Sequence, residues 1–178
     1  SYKMLSTFLL HRLLKDIKGY IKPTQAGFRA DMGCNDHLVV LSALLDYVKD
    51  RGDTGVITFI DFSSAFDTVS HKLLDKALDE SKASYQCRAI FRSIYSKASA
   101  VVRVAAPTGE VKSRSFPIRR GVLQGDVFSP VCFIIAVQYV LNRYGTGGGI
   151  EMFKHLDEEI SLGRGSVKLN SLEYADDI

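Results

Sequence analysis

A chain of 178 residues with 46% hydrophobic content is long enough to bury one core, with a smaller subdomain packed against it. No apolar run reaches the length of a bilayer, and Ser1 opens no basic segment followed by a compact apolar stretch. Neither a spanning helix nor a signal peptide is read, and an intracellular protein of cytoplasm or nucleus, with no membrane partner, is expected. The net charge of +3 is too small to establish a nucleic-acid partner, and three cysteines (Cys34, Cys87, Cys132), odd in number and far apart, argue against a disulfide framework or a zinc site and for buried free thiols.

Apolar residues at helical spacing predict an amphipathic helix over Tyr2 to Tyr20, ended by Pro23. On it His11, Lys15, Lys18 and Lys22 form a basic stripe opposite Leu10, Leu13, Leu14 and Ile17. A second helix is read from about Asp36 to Lys49, capped by Asn35 or Asp36, with Leu38, Leu41, Leu45 and Val48 on its apolar face. Val56 to Asp61 is a run of β-formers ending in a carboxylate, read as a buried central strand. Ser70 caps a helix to about Leu78, and another runs from Tyr85 to Tyr95 with Ile90, Phe91 and Ile94 inward. Val101 to Ala105 and Val111 to Ile118 flank the turn residues Pro107, Thr108 and Gly109 as a hairpin. A second basic group, Lys112, Arg114, Arg119 and Arg120, falls beside it; each basic group suits phosphates or is a solvated face.

Ser129-Pro130 opens a helix to about Arg143, which Gly145, Gly147, Gly148 and Gly149 then break. This glycine group lacks the lysine and hydroxyl residue of a phosphate loop, so it reads as a helix terminator. Ile150 to Gly165 reads as a mixed loop with one helical turn at most. Lys168 to Tyr174 returns as a strand that delivers Ala175-Asp176-Asp177.

Asp61 ends one strand and Asp176 and Asp177 follow another, and neighbouring strands can bring such ends together. Three close carboxylates resist ionisation unless cations neutralise them, and oxygen-only ligands favour Mg²⁺ or Mn²⁺. Two such ions about 4 Å apart suit in-line attack at phosphorus, which is nucleotidyl transfer. Against this stand plainer readings: an acidic pair in a turn is ordinary turn chemistry, whereas a carboxylate ending an apolar strand needs a partner or a metal.

Asp61-Phe62-Ser63-Ser64-Ala65-Phe66-Asp67-Thr68-Val69-Ser70-His71 resembles the first palm motif of non-LTR retrotransposon reverse transcriptases, and Tyr174-Ala175-Asp176-Asp177 resembles their catalytic tetrapeptide. Gly121 to Pro130 is similar to their glutamine-glycine and serine-proline block. Gln25-Ala26-Gly27-Phe28-Arg29 with Asp36-His37-Leu38 resembles their fingers motif. Group II intron reverse transcriptases share the plan. The resemblance implies an α+β right-hand polymerase palm, an antiparallel sheet backed by helices, with a partial helical fingers subdomain. Residues 1–54 would be partial fingers and 55–178 palm, with 79–120 contributing to the junction.

The same resemblance implies an RNA-directed DNA polymerase using two Mg²⁺ ions (or Mn²⁺), dNTPs, an RNA template and a DNA primer. Asp61, Asp176 and Asp177 would bind metal, with the carbonyl of Phe62 a further ligand. Phe66 would screen the sugar by excluding a 2′-hydroxyl; as a core phenylalanine it would be equally buried. Gln124 and Gly125 would hold nucleotide and template, with Ala65 beside them. Arg29 would contact nucleic-acid backbone or tie fingers to palm. Lys15, Lys18, Arg120 and Tyr174 are further candidates for nucleic-acid contact. Lys3 and Arg12 follow the family's triphosphate-contacting segment, and His71 would orient the helix after its motif. The family's upstream fingers segment, the second strand of the catalytic hairpin, the primer grip, thumb and flanking domains lie outside these residues, so a fragment of a longer polyprotein that extends primers poorly is expected. Two other readings are an inactive RNA-binding relic and another two-metal palm enzyme such as a nucleotide cyclase, which would not require Phe66 or the Gln124 block.

Overall fold

The computed structural model describes residues 2–107, 109–145, 149–152 and 167–178. Within them the chain is of mixed α+β class, with six helices and three antiparallel sheets of two short strands each. Helix α6 (Ser129–Tyr144) is the centre. Every residue from Val131 to Tyr139 is buried, and a helix apolar on all sides must be surrounded. Pro130 sits in its first turn, where a missing N–H costs nothing, and Gly145 closes it by donating its N–H to the Leu141 carbonyl at 2.8 Å.

Helix α4 (His71–Glu80) packs against α6 and against α5 (Tyr85–Ser96), and α1 (Tyr2–Asp16) packs on α5. Residues spaced by three and four supply each buried stripe: Leu74, Ala77 and Leu78 from α4; Cys87, Phe91 and Tyr95 from α5; Leu9 and Leu13 from α1, continued by Ile17. Each fully buried aliphatic side chain of this kind contributes about 1.5–3 kcal/mol. The helices near 70, 85 and 129 therefore form where the apolar spacing, Ser70 and Ser129-Pro130 place them.

Helix α1 is shorter than its periodicity suggests. It ends at Asp16, not Tyr20, because Gly19 turns the chain with φ +85 well before Pro23. Lys18 and Lys22 thus leave the helix, and the basic stripe is broken after Lys15. Helix α2 (Cys34–Asp50) starts earlier than expected, at an N-cap of Gly33 whose N–H donates to the Asp36 carboxylate at 2.7 Å. Of its apolar residues only Leu44 is buried, while Leu38 and Leu45 are exposed.

Strands β1 (Ser99–Ala100) and β4 (Phe116–Pro117) pair, and inside them β2 (Arg103–Ala106) pairs with β3 (Gly109–Lys112), from Arg103 opposite Lys112 to Ala106 opposite Gly109. The expected hairpin is present but interrupted. Strands β5 (Ile150–Met152) and β6 (Val167–Leu169) pair where a mixed loop and a longer strand were expected. Residues 153–166, most of that loop, lie outside the described residues, as do 108 and 146–148.

The largest correction concerns residues 56–61. They form no named strand, and Val56 and Phe59 are 89% and 81% exposed, so the buried central strand is not formed. Only its end is paired. Ile60 and Ile178 exchange both backbone hydrogen bonds, at 2.7 and 3.0 Å, as a hydrogen-bonded antiparallel pair does. Asp177 is bridged in turn to Tyr174, and Glu173 to Gln25 in parallel. The result is a narrow ladder, in the order 60, 177–178, 173–174, 24–26, made of contacts one residue wide. Ile178 packs against the Phe133, Ile134 and Val137 cluster of α6, so helix α6 backs this ladder.

The thiols divide. Cys87 and Cys132 are buried, whereas Cys34, expected to be buried, is exposed at the start of α2. Burial pushes the Cys87 thiol up to about 11 and the Cys132 thiol well above the usual range, which leaves little of the reactive thiolate. Maleimide labelling at neutral pH is expected to modify Cys34 alone in the native protein and all three cysteines after denaturation. Rapid native labelling of Cys132, read by peptide mass, would contradict this packing of α6.

Candidate active site

Tyr174, Ala175, Asp176 and Asp177 form a tight turn: the Tyr174 N–H donates to the Asp177 carbonyl at 2.8 Å and the Asp177 N–H to the Tyr174 carbonyl at 3.1 Å. Among the two central residues only Ala175 has positive φ, +59, the pattern of a type II′ hairpin turn. Glycine is the residue that takes this conformation freely, and for alanine it costs roughly 1–2 kcal/mol. Surrounding contacts must therefore hold the turn. Gln25, 2% exposed, supplies them: its Oε1 accepts the N–H groups of Ala175 at 2.9 Å and Gly27 at 2.8 Å, and its Nε2 donates to the Ala175 carbonyl at 3.3 Å. Gly27 lies so close to the turn that a Cβ there would fall 2.2 Å from the Ala175 nitrogen.

The ladder relates the three aspartates. With Ile60 opposite Ile178, the antiparallel register continued by one residue sets Asp61 across from Asp177. Asp61 and Asp177 are exposed and Asp176 half-buried, and none of the three carboxylates has a hydrogen bond or ion pair among the described residues. By contrast Asp67 accepts from Gln124 Nε2 at 3.0 Å, and Asp126 accepts from the hydroxyls of Ser6 and Ser129. Among the described residues no three His, Cys, Asp or Glu side chains are gathered closely enough to hold an ion. The donor set nonetheless fits a hard cation: three uncommitted carboxylates carried by the turn and the backbone paired to it.

The segment preceding Asp61 has no regular secondary structure, but the one following it is sharply folded. Ser64, with φ +52, opens the short helix α3 (Ala65–Thr68). Ala65 is buried against α6, so it supports the site from behind instead of lining it. Phe66 is half-buried: its ring stacks on Phe133 at 4.2 Å and meets Phe28 edge-on at 5.8 Å. Behind α3 the Gly121 segment approaches so closely that a Cβ at Gly121 would fall 2.7 Å from the Asp67 carbonyl oxygen. That contact fixes the Gln124 loop beside Phe66. Phe66, Leu123, Gln124, Gly125, Asp126, Ser129 and Pro130 line an open pocket of about 250 Å³. Three of the four expected nucleotide-site residues, Phe66, Gln124 and Gly125, thus share one pocket, and Ala65 does not.

His71 donates from Nε2 to the Gly121 carbonyl at 2.8 Å and packs on Tyr95 at 4.7 Å, which ties the start of α4 to the Gly121 segment. Tyr95 is itself enclosed; burial raises its phenol, whose oxygen accepts the Leu123 N–H at 3.4 Å. The basic residues are dispersed. Arg29 donates to the carbonyls of Lys22 and Gln25 at 2.9 and 3.0 Å, which ties down the loop before the fingers motif. Arg12 is engaged by Gln86 on α5 at 3.1 Å. Lys15, Lys18 and Arg120 are exposed, and Tyr174 is 41% exposed at the turn; Phe62, beside Asp61, is 43% exposed.

Among the buried polar residues to which the sequence assigned no individual role are Gln25, Asp126 and Glu173. Glu173, 1% exposed, accepts from the Ser171 hydroxyl at 2.5 Å. Asp126 could have been suspected from its place between Gly125 and the helix opening at Ser129. Gln25 opens the segment that resembles the fingers motif, but nothing local points to its partner, which lies 150 positions away.

Comparison with known proteins gives the family. The family model for reverse transcriptase (RNA-dependent DNA polymerase) matches residues 1–178. The chain is 28% identical over 182 positions to the retrovirus-related Pol polyprotein from type-1 retrotransposable element R2 of Popillia japonica, covering 96% of this chain and 22% of that protein. It is 26% identical over 171 residues to the protein of the same description from Nasonia vitripennis, covering 94% of this chain and 15% of that one. To the Pol polyprotein from type-2 retrotransposable element R2DM of Drosophila melanogaster it is 25% identical over 176 residues, covering 99% and 15%. The chain therefore spans between 15% and 22% of the length of these relatives.

Proposed function

Because the chain belongs to the reverse transcriptase (RNA-dependent DNA polymerase) family, we propose that it is the fingers-and-palm part of an RNA-directed DNA polymerase of the non-LTR retrotransposon type. It is a reverse transcriptase domain related to the Pol polyproteins of R2 elements. In this reading residues 1–54 are partial fingers and 55–178 the palm of a right-hand polymerase, with 79–120 at their junction. The observation that carries it is the pairing of Ile60 with Ile178, which puts the backbone of Asp61 beside that of the Asp176-Asp177 turn across more than a hundred residues of sequence.

Asp61, Asp176 and Asp177, with the Phe62 carbonyl, would hold the divalent cations. Bound there, two Mg²⁺ or Mn²⁺ ions supply activation of a primer 3′-hydroxyl and stabilisation of the leaving pyrophosphate oxygen. The protein's own residues do the rest. Gln124 and the Gly125 backbone border the pocket in which the incoming nucleotide would lie, and Asp67 holds the Gln124 carboxamide in place. Phe66, braced by Phe133 and Phe28, stands where a ribose 2′-hydroxyl would meet its ring, so deoxynucleotides are selected by exclusion. Exposed Lys15, Lys18 and Arg120 offer charge for template and primer phosphates, a contribution that weakens with salt. Arg29 gives its Nη1 to the carbonyls of Lys22 and Gln25, which leaves the rest of its guanidinium for a phosphate.

The test is primer extension on an RNA template in the full-length protein, with Mg²⁺ and dNTPs or rNTPs. Incorporation of dNTPs over rNTPs is expected, and Phe66→Ala is expected to reduce that preference by roughly 10- to 100-fold, measured as the ratio of kcat/KM values. Its lost stacking on Phe133 should also lower the melting temperature. An unchanged sugar preference in a folded Phe66→Ala protein would remove Phe66 from this role, and absence of template-dependent dNTP incorporation would overturn the reading as a whole.

A further inference from the structure

We propose that Gln25 is a positioning residue for the aspartate turn: its buried carboxamide fixes Ala175, and through Ala175 the directions of Asp176 and Asp177. The inference rests on the proposed polymerase reading for its functional half, whereas its structural half stands on the geometry alone. One side chain serves both backbone groups of a single residue. Oε1 accepts the Ala175 N–H at 2.9 Å, and Nε2 donates to the Ala175 carbonyl at 3.3 Å. The carboxamide thus behaves toward Ala175 as a strand residue would, in a place where no strand runs.

Three further features point to the same role. Ala175 holds φ +59, a conformation alanine keeps only when its surroundings impose it. The second acceptor bond of Oε1, from Gly27 at 2.8 Å, fixes the carboxamide against its own backbone, so the amide cannot rotate without losing bonds at both ends. The backbone of the same segment is bridged to Glu173, which anchors the turn on its other side. Asp176 and Asp177 have no side-chain partner among the described residues, so their orientation is inherited from the turn. A glutamine fits this task and its neighbours in chemistry do not. Asparagine is one methylene too short, leucine offers no polar atom, and glutamate keeps both acceptor bonds but loses the donor to the Ala175 carbonyl.

Hydrogen exchange separates this role from general stability. In Gln25→Leu the Ala175 amide is expected to exchange at least about tenfold faster while amides of α4 and α6 keep their protection. Gln25→Glu, which retains the acceptor, should keep most of the Ala175 protection. In primer extension by the full-length protein, Gln25→Leu should lower kcat by about 10- to 100-fold, raise the Mg²⁺ concentration giving half-maximal rate, and leave KM for dNTP nearly unchanged. Unchanged Ala175 exchange in Gln25→Leu, or a uniform loss of protection across α4 and α6, would overturn the proposal. Asp176→Asn is the control for the reading beneath it: it should abolish incorporation and leave the Ala175 amide protected. If Asp176→Asn extends primers normally, the polymerase assignment of the turn fails, and the exchange measurement still decides whether Gln25 holds it.

Discussion

Asp61→Asn is expected to lower nucleotide incorporation by on the order of 10³-fold, with the melting temperature unchanged or slightly raised. The two halves of this expectation come from the same observation. Asp61 is exposed and its carboxylate has no hydrogen bond or ion pair among the described residues, so the fold loses nothing when its charge is removed. The register sets it opposite Asp177, with Asp176 next in line, and without cations these like charges repel one another. Neutralising one relieves repulsion in the resting protein and removes a ligand from the working one. Single-turnover incorporation on a primed RNA template, read beside thermal denaturation, separates the effects. Asp126→Asn is the useful contrast, because that carboxylate is 9% exposed and accepts from Ser6 and Ser129. There a loss of stability of about 1–3 kcal/mol should appear. Retained incorporation in Asp61→Asn would remove Asp61 from the metal site.

Local chemistry explains which parts of the structure could be read from sequence. Helix α4 follows Ser70, α6 opens at Ser129-Pro130, and these two and α5 carry apolar residues at the helical period, so they were legible to within a residue or two. The β2–β3 hairpin was legible from Pro107 and Gly109. Residues 56–61 were not. A run of β-formers reports a preference for a pleated, half-buried surface, but whether neighbouring strands exist to bury it is decided by other parts of the chain. Here only Ile60 finds one. Helix α1 failed at its end for a smaller reason: apolar spacing continued through Ile17, while Gly19 took the left-handed conformation that stops a helix.

The candidate site divides along the same line. Its aspartates, Phe66 and Gln124 were visible through ordered motifs, and the structure places Phe66, Gln124 and Gly125 around one pocket. Asp61 and the 176–177 turn are brought together through backbone pairing. Gln25 was visible as part of the fingers-motif resemblance, but its hold on the turn was not, because a buried polar side chain is defined by its partner, and that partner is 150 positions away. Composition cannot supply that pairing. Steric need is the one trace it leaves, in the form of a glycine two residues later.

Gly27→Ala should expose that need with a large structural effect. The added Cβ would fall 2.2 Å from the Ala175 nitrogen, 2.8 Å from its Cα and 2.9 Å from Gln25 Oε1. Two of these are backbone atoms of a turn already held at positive φ, and the third belongs to the carboxamide that holds it, so no flexible side chain can swing aside. The turn must move away from the 24–26 segment instead, which breaks the Gln25 bonds and withdraws Asp176 and Asp177 from Asp61. Overpacking of this kind costs about 1–3 kcal/mol, and incorporation should fall by about 10²-fold or more as the carboxylates are displaced by an ångström or so. Gly33→Ala is the matched control: its φ of −151 is open to any residue, and its nearest neighbour is the Asp36 carboxylate at 4.0 Å. As a poorer N-cap for α2, alanine there should cost no more than about 1 kcal/mol, and the turn is left untouched. If denaturation and primer extension respond alike to the two substitutions, the close approach of Gly27 to the turn does not govern the site.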